Sequence, residues 1–479
     1  MTPAARSFDV LVVGGGPAGM AAATTVRQHG GNVALIDENS DGGGQVYRPQ
    51  PRGFAPGSSK PTAEQRAGNR LRNALAASGA DTFFEHKVWG VAPGFRVDAV
   101  GPDGPIALTA SRLIAATGTS ERVVPFPGWT TPGVIGLAAA TILLKAQRML
   151  PGRQTLVAGC GPLLIAVAAG IVKGGGRVAA VVDVASRGDW LGRLPALASR
   201  PDLLARGLRW MATLQAAGVP ILRRHAIREV RETSAGLDVV VGPVEPDGAP
   251  RSGATRNFTV DSVAVGNGLT PASDVSRVLR AKHRYDFVKG GWIAETDDCG
   301  RTSVAGLYVV GDGAGIAGAA AAEHHGAAAG IAAVQDFGRI DVTVYRRQVR
   351  RVGAKLDRAG RFGRAMAGMM AIRPAQVAAI TRDTLVCRCE DVTRAEIEQA
   401  VDDGATEVNQ VKAWTRCGMG PCQGRTCGDV VAEIVARRVG GREAAGYFTG
   451  RLPLRPVSLQ TVIGDYVYAD IPIPKEAPL

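Results

Sequence analysis

Phe8-Asp-Val-Leu-Val-Val-Gly-Gly-Gly-Pro-Ala-Gly-Met20 decides the fold. Five of the six residues from Phe8 to Val13 are apolar, which suits a buried parallel strand. Gly14-x-Gly16-x-x-Gly19 then turns the chain into an Ala-rich helix. The first glycine permits the tight turn, the second lets a pyrophosphate reach the backbone, and the third lets helix and strand pack closely. Pro17 and Ala18 open that helix, whose free N–H groups face the phosphates. A second strand, Val33-Ala-Leu-Ile36, ends at Asp37, eighteen residues after Gly19, followed by Glu38. An acid in that register accepts hydrogen bonds from an adenosine ribose. A lone glycine triplet is weak evidence; strand, triplet, helix, strand and acid in register are strong evidence.

A chain of 479 residues is expected to hold two or three domains. It is 46% apolar and 21% charged, a globular composition. No apolar run reaches the ~18 residues of a membrane helix. The stretch from Gly313 to Val334 comes closest, and Glu323, His324 and His325 break it. The first strand begins too early for a signal peptide, so the expectation is a cytoplasmic protein without a transmembrane segment. Net charge is +13, mostly scattered Arg, with no nucleic-acid motif. A basic enzyme, or one with an acidic partner, is favoured over a nucleic-acid binder.

Residues 60–80 read as an amphipathic helix with Ala67, Leu71, Leu75 and Ala76 on one stripe. Strands are expected at Thr82–Val91 and Ile106–Ala110. Gln154-Thr-Leu-Val-Ala-Gly-Cys-Gly-Pro-Leu-Leu164 is a second strand, glycine loop and helix. Its pattern is Gly159-x-Gly161-x-x-Leu164, and Leu stands where Gly or Ala belongs. The strand Arg177–Val182 ends at Asp183, an acid that would favour NADH over NADPH. A second adenine nucleotide at Gly159, Gly161 and Asp183 therefore stays open. Cys160 has no C-x-x-C partner, so disulfide-reductase chemistry has no support. Glu323-His-His325 reads either as polar groups near a cofactor or as a solvated helix face. Residues 345–364 carry eight basic residues against Asp357 and are expected to form a helix with one cationic face.

Five of the seven Cys fall between Cys387 and Cys427. Such clustering points to metal or redox chemistry rather than a disulfide framework. Cys387-Arg-Cys389 and Cys422-Gln-Gly-Arg-Thr-Cys427 are thirty-two residues apart. Thr393-Arg-Ala-Glu396 between them is a capping box, and Cys427 falls near the start of a helix at about 429–437. Thiolates near helix N-termini are stabilised as anions, as metal ligands must be. Structural zinc sites usually use C-x2–4-C pairs, so the C-x-C arm counts against zinc. The spacing also differs from the ferredoxin runs. Arg451–Leu459, with alternating prolines, is expected to lie extended along the main domain or a partner.

Several stretches resemble flavoproteins with two dinucleotide domains of the glutathione-reductase type. Asp41-Gly-Gly-Gly-Gln-Val-Tyr-Arg48 resembles the loop beside FAD, which implies contacts from Gly44 and Gln45. Arg112-Leu-Ile-Ala-Ala-Thr-Gly118 resembles the segment where such chains leave the FAD domain, implicating Thr117 and Gly118. Ser262–Pro271 resembles the return crossover. Gly306-Leu-Tyr-Val-Val-Gly-Asp312 resembles the second FAD fingerprint, in which Gly311 and Asp312 meet the ribityl chain. The cysteine segment, with Gly418-Met-Gly-Pro-Cys-Gln-Gly424, resembles the small helical [2Fe–2S] module of the bacterioferritin-associated-ferredoxin type. That match implies Cys387, Cys389, Cys422 and Cys427 as ligands, with Cys417 a spare thiol.

The full order resembles the A subunits of octopine and nopaline oxidases, the B subunit of hydrogen cyanide synthase, and the α subunits of multimeric proline and hydroxyproline dehydrogenases. The resemblance implies an α/β fold: an FAD domain (1–120 and 265–340), a second dinucleotide domain (121–264), a basic helical linker (341–380), the [2Fe–2S] module (381–438) and a tail (439–479). It also implies a β subunit resembling D-amino-acid or sarcosine oxidases, and in some cases a small ferredoxin-like γ subunit. Three functions stand: a component of an amine- or opine-type dehydrogenase, an NADH:acceptor flavin reductase, or a non-catalytic electron-transfer subunit.

Overall fold

The computed structural model describes residues 6–50 and 61–463. The first strand, Arg6–Val13, pairs in parallel with Val33–Ile36 on one side and with Gly104–Ala115 on the other. Asp81–Phe83 continues that sheet beyond Val33–Ile36, and Leu307–Val309 adds beside Gly104–Ala115. Val10–Val13, Val33–Ile36, Leu113–Ala115 and Leu307–Val309, the adjoining stretches at the centre of this sheet, are buried throughout, as expected for strands covered on both faces.

The first helix, Pro17–Gln28, lies between the sheet and the Ala/Gly helix Ala319–Asp336. The two helices approach backbone to backbone. A Cβ on Gly326 would stand 1.9 Å from the carbonyl oxygen of Ala18. This packing explains the small residues of the 319–336 helix better than any lipid contact would. No helix among the described residues is long and apolar enough to cross a membrane.

The second domain is a five-stranded sheet in which Gln154–Gly159 lies between Arg177–Asp183 and Ser262–Gly266. The helix Pro162–Lys173 covers it. The linker helix runs Val342–Met369, longer than the cationic stretch that announced it, and Asp341 caps it by accepting from Thr343 N. The cysteine module has its own core, built around Ile397, Val411, Val431 and Val435, and it packs on Val124 and Ile372.

Some details depart from the sequence reading. The helix expected at 60–80 spans Ala63–Ser78 from a Thr62–Gln65 capping box. Its buried stripe is Gly68, Leu71 and Leu75, while Ala76 is exposed. The strand expected at Thr82–Val91 is two, Asp81–Phe83 and Lys87–Ala92, because Glu85 adopts a left-handed conformation (φ 60°) and turns the chain. Ile106–Ala110 is part of one long strand that runs on to Ala115. The chain near Leu454 does lie along the main domain: Leu454 N donates to Trp89 O at 2.7 Å and its side chain is buried.

Candidate functional site

The first glycine loop combines close contacts with one open stretch of backbone. A Cβ on Gly19 would stand 1.8 Å from Gly14 O, so helix and loop touch there. A Cβ on Gly16 would meet nothing nearer than the Gly44 Cα at 4.0 Å, so the backbone is open at that point. Pro17 begins the helix, and the N-terminal N–H groups beside Gly16 face the same opening. The 41–48 loop docks on this turn: Gly43 N donates to Gly15 O at 2.8 Å. Arg72, from the Ala63–Ser78 helix, holds the loop by donating to the carbonyls of Gly42 and Tyr47, each at 2.9 Å.

Asp37 stands at the end of its strand, as the spacing requires. Its Oδ2 accepts from Gly15 N at 2.5 Å and its Oδ1 from Asn39 N at 2.7 Å. Glu38 lies 3.9 Å from Arg455 of the tail. Gln45 is exposed and accepts from Arg48 at 3.2 Å. Thr117 donates its hydroxyl to Ala272 O at 2.7 Å, tying the two crossover segments together. Gly118 lies beside Gly313, whose Cβ would stand 3.5 Å from Gly118 O.

Asp312 caps the start of the next helix. Its Oδ1 accepts from Ala317 N at 2.9 Å and Gly318 N at 2.8 Å, where the Ala319–Asp336 helix begins. Burial pushes this carboxyl up against the two N–H donors. Gly311 packs on Ala18, so the two fingerprints meet. His325 resolves a question left by the sequence. It is no solvated face: burial and the charge of Lys289 pull its pKa to about 4, and Nδ1 accepts from Gly311 N at 3.2 Å. Glu323 instead pairs outward with Arg70 at 2.7 Å.

The second glycine loop is covered. Asp183 is 1% exposed and accepts from Ala185 N, Trp190 Nε1 and Arg223 Nη1, at 2.9, 3.2 and 3.4 Å. A Cβ on Gly161 would stand 2.4 Å from the sulfur of Met370, which lies over the loop. Gly159 packs closer still, where a Cβ would stand 1.8 Å from Gly266 O. Leu164 is fully buried in the core of this domain, which accounts for its departure from the glycine pattern. Cys160 packs with Met366 and Met369 as a small core residue, and burial pushes its thiol up to about 12.

All five clustered cysteines converge. The sulfurs of Cys387, Cys417 and Cys427 lie within 4.8 Å of one another and are buried. Cys389 and Cys422 interact with each other alongside. Cys387 ends the short strand Leu385–Cys387, and Cys427 immediately precedes the helix Gly428–Val439. The capping box at Thr393 forms as expected and opens Arg394–Asp402. Hydrogen bonds from Cys417 and Cys427 hold the Cys387 thiol far down, while Cys417 and Cys427 are pushed up. The Gly-Met-Gly-Pro run is needed for contact: a Cβ on Gly420 would stand 2.3 Å from the Cys389 Cβ. Gly424 is pressed likewise on the ring of Phe448. Sulfur donors only, three of them buried and two half-buried, fit a soft metal or iron–sulfur centre.

The cysteine module is fastened to the two-sheet body of the chain by residues that carry no motif. Arg122 is 4% exposed. It donates Nε to Asp429 Oδ2, Nη1 to Met370 O and Nη2 to Gly290 O, at 2.7, 2.6 and 2.7 Å. Asp429 also pairs with Arg442, which reaches Glu433 at 3.1 Å. Arg425 pairs with Asp274 at 3.0 Å, and Trp129 Nε1 donates to Leu385 O at 2.7 Å.

Comparison with known proteins agrees with this architecture. The pyridine nucleotide-disulphide oxidoreductase model matches residues 8–329, and the sarcosine oxidase A3 domain matches residues 381–465. The opine oxidase A subunit of Rhizobium meliloti (strain 1021) is 33% identical over 95% of this chain and 98% of its own length. The chain belongs to the opine oxidase A-subunit family. Hydrogen cyanide synthase subunit HcnB of Pseudomonas aeruginosa is 32% identical over 93% of this chain and 96% of its own. L-proline dehydrogenase from P. horikoshii shares the fold, with a TM-score of 0.68 at 20% identity over 95% of this chain and 79% of its own. The opine oxidase A-type chain is thus a flavin oxidoreductase subunit, and its family implies FAD. The open backbone at Gly16 beside Gly44, and the packing of Gly311 on Ala18, fit that cofactor.

Proposed function

We propose that this chain is the flavin and [2Fe–2S] subunit of a multimeric dehydrogenase that oxidises the C–N bond of a secondary amine or amino acid, in the cytoplasm. When bound, FAD takes two electrons and can release them singly, and a [2Fe–2S] centre takes one at a time. The protein's part is to hold the two close. The Gly14–Gly19 turn and helix Pro17–Gln28 bind the pyrophosphate, Asp37 and Glu38 serve the ribose, and Asp312 serves the ribityl hydroxyls. Thr117 and Gly118 border the flavin, with Gly44 and Gln45 in the facing loop. Cys387, Cys389, Cys422 and Cys427 hold the cluster, and Cys417 is the buried fifth thiol of the group.

The observation that carries this reading is the buried fastening of a five-thiol module onto the flavin fold through Arg122, Asp429 and Met370. Such a join serves electron transfer between two fixed centres. The family names are names of subunits, so a β subunit resembling D-amino-acid or sarcosine oxidases supplies the amine-oxidising site, with a small ferredoxin-like γ subunit in some complexes.

The NADH-reductase reading is disfavoured by Met370 over the second loop and by the closed hydrogen bonding of Asp183. The test is co-expression with the β subunit, followed by a panel of opines, proline-type imino acids and N-methyl amino acids with a dye acceptor. Turnover by the complex and none by the chain alone is expected. Opine oxidation by the purified chain alone overturns the partner element, and NADH turnover without amine turnover overturns the whole assignment.

A further inference from the structure

The linker helix Val342–Met369 has an inner and an outer face of opposite chemistry. On the inner face, Tyr345, Val349 and Val352 pack on the core of the first domain. Further along, a Cβ on Gly363 would stand 1.9 Å from Ala317 O, and Ala317 N donates to Asp312 at 2.9 Å. The outer face carries Arg346, Arg347, Arg350, Arg351, Lys355, Arg358 and Arg361, all exposed. Asp357 is the one acid between Arg346 and Arg361. Seven cations against one acid make up close to half of the chain's net charge of +13.

None of these seven makes an ion pair among the described residues, whereas Arg6, Arg70, Arg382 and Arg416, also on the surface, each hold a carboxylate at 3.0 Å or less. The residues outside the described chain carry three acids (Asp465, Asp470 and Glu476) and three bases (Arg52, Lys60 and Lys475), so they bring no net negative charge to this face. Spacings of three and four set Arg346 beside Arg350, Arg347 beside Arg351, and Lys355 beside Arg351 and Arg358. Like charges at those spacings destabilise a helix, and an anionic surface laid against them removes the repulsion. The face also says what kind of surface fits. No large apolar side chain is exposed between Arg346 and Arg361. A permanent subunit interface has an apolar centre depleted of charge, and a membrane-surface helix inserts an apolar face, which this helix has buried in the protein. Charge without apolar surface suits a small, polar, electrostatically steered encounter of the kind electron-transfer partners make.

We propose that the outer face of the linker helix, from Arg346 to Arg361, is the docking surface for a small acidic electron-carrier protein that binds briefly and leaves. The band is about 22 Å long at 1.5 Å per residue, and a protein seated on it is one helix thickness, about 10–12 Å, from the Ala317 turn that Asp312 holds. The inference rests on reading this chain as a flavin subunit that passes electrons onward. It concerns a transient visitor and is separate from the β subunit.

The test is calorimetric titration of the full chain with oxidised flavodoxin, a small acidic one-electron carrier, in about 20 mM and about 200 mM NaCl. No amine is present, so the result is independent of whether the complex with the β subunit turns over an amine. Wild type is expected to bind at low salt and to weaken about tenfold or more at high salt. Arg347→Glu/Arg351→Glu/Arg358→Glu is expected to lose binding. Lys173→Glu/Arg251→Glu/Arg256→Glu changes the net charge equally at exposed positions of the second domain and is expected to bind like wild type. Should the first triple variant fail to fold, Gln at the same three positions serves, with an expected loss of about tenfold. A wild type that does not bind flavodoxin overturns the docking surface, as does a helix variant that binds like wild type, or a second-domain variant that loses as much. Tighter binding of equimolar phosphatidylglycerol–phosphatidylcholine vesicles or of a DNA duplex, lost in the same helix variant, overturns the assignment to a protein partner.

Discussion

The thioether of Met370 lies directly on Gly161, where an added Cβ would be 2.4 Å from the sulfur. A residue of the linker's end thus covers the loop that would otherwise cradle a second pyrophosphate. Its carbonyl is held in turn by Arg122 at 2.6 Å. An anaerobic titration with NADH should therefore leave the flavin absorbance unchanged, and dithionite should bleach it. Stoichiometric bleaching by NADH would mean that Met370 moves aside and that the second domain is an entry point for electrons.

The cysteine group yields a prediction with a clear order of effects. Ser substitution at Cys387, Cys389, Cys422 or Cys427 should each abolish the visible cluster absorbance and most of the bound iron. Cys417→Ser should retain both, although its sulfur lies within 4.8 Å of Cys387 and Cys427. Iron analysis and electron paramagnetic resonance of the reduced protein decide it. Loss of the cluster in Cys417→Ser with retention in Cys427→Ser would exchange the roles of these two thiols.

The join between the modules should be energetically large. Arg122 and Asp429 have side chains 3% and 15% exposed. Burial alone would raise the Asp429 carboxyl, yet Arg122 and Arg442 hold it at about 2. Arg122→Met leaves two backbone carbonyls and part of a carboxylate unpaired. Breaking a buried pair in this way costs about 3–5 kcal/mol. Denaturant unfolding followed by both flavin release and cluster bleaching should show the cysteine module detaching first. A variant that unfolds like wild type would make this network a bystander.

How much of this was legible in the chain depends on sequence distance. Gly14, Gly16, Gly19 and Asp37 act together within thirty residues, and their spacing alone announces their geometry. The capping box at Thr393 is equally local and forms as written. Arg122 carries no motif because its meaning comes from Asp429 and Met370, more than two hundred residues away. Phe448 is a lone aromatic until Gly424 is seen pressed on its ring. Spacing gathered five cysteines but could not say that Cys417 falls beside Cys387 and Cys427. Leu164 looked like damage to a binding motif, whereas it is a fully buried core residue. The split of the 82–91 strand turned on a single left-handed residue, Glu85, a conformation for which Glu has no preference.

Glu121 gives a pH-dependent prediction. It ends the strand Thr119–Glu121 in the crossover and accepts from Ala138 N at 3.0 Å. Burial raises its pKa from 4.5 to about 7, against the opposing pull of that N–H and its neighbour. A carboxyl whose folded pKa lies above its unfolded value binds its proton more tightly when folded. Its contribution to stability is full below pH ~4.5 and is lost as pH rises through about 7. With partial solvent access, the loss is on the order of 2 kcal/mol. Glu121→Gln keeps an acceptor for Ala138 N and removes the titration. The difference in unfolding free energy between Glu121→Gln and wild type should therefore grow in favour of the variant between pH 5 and pH 8. A difference that stays constant across that range would show that Glu121 is ionised in the folded chain throughout, with water or a counter-charge reaching it in the crossover.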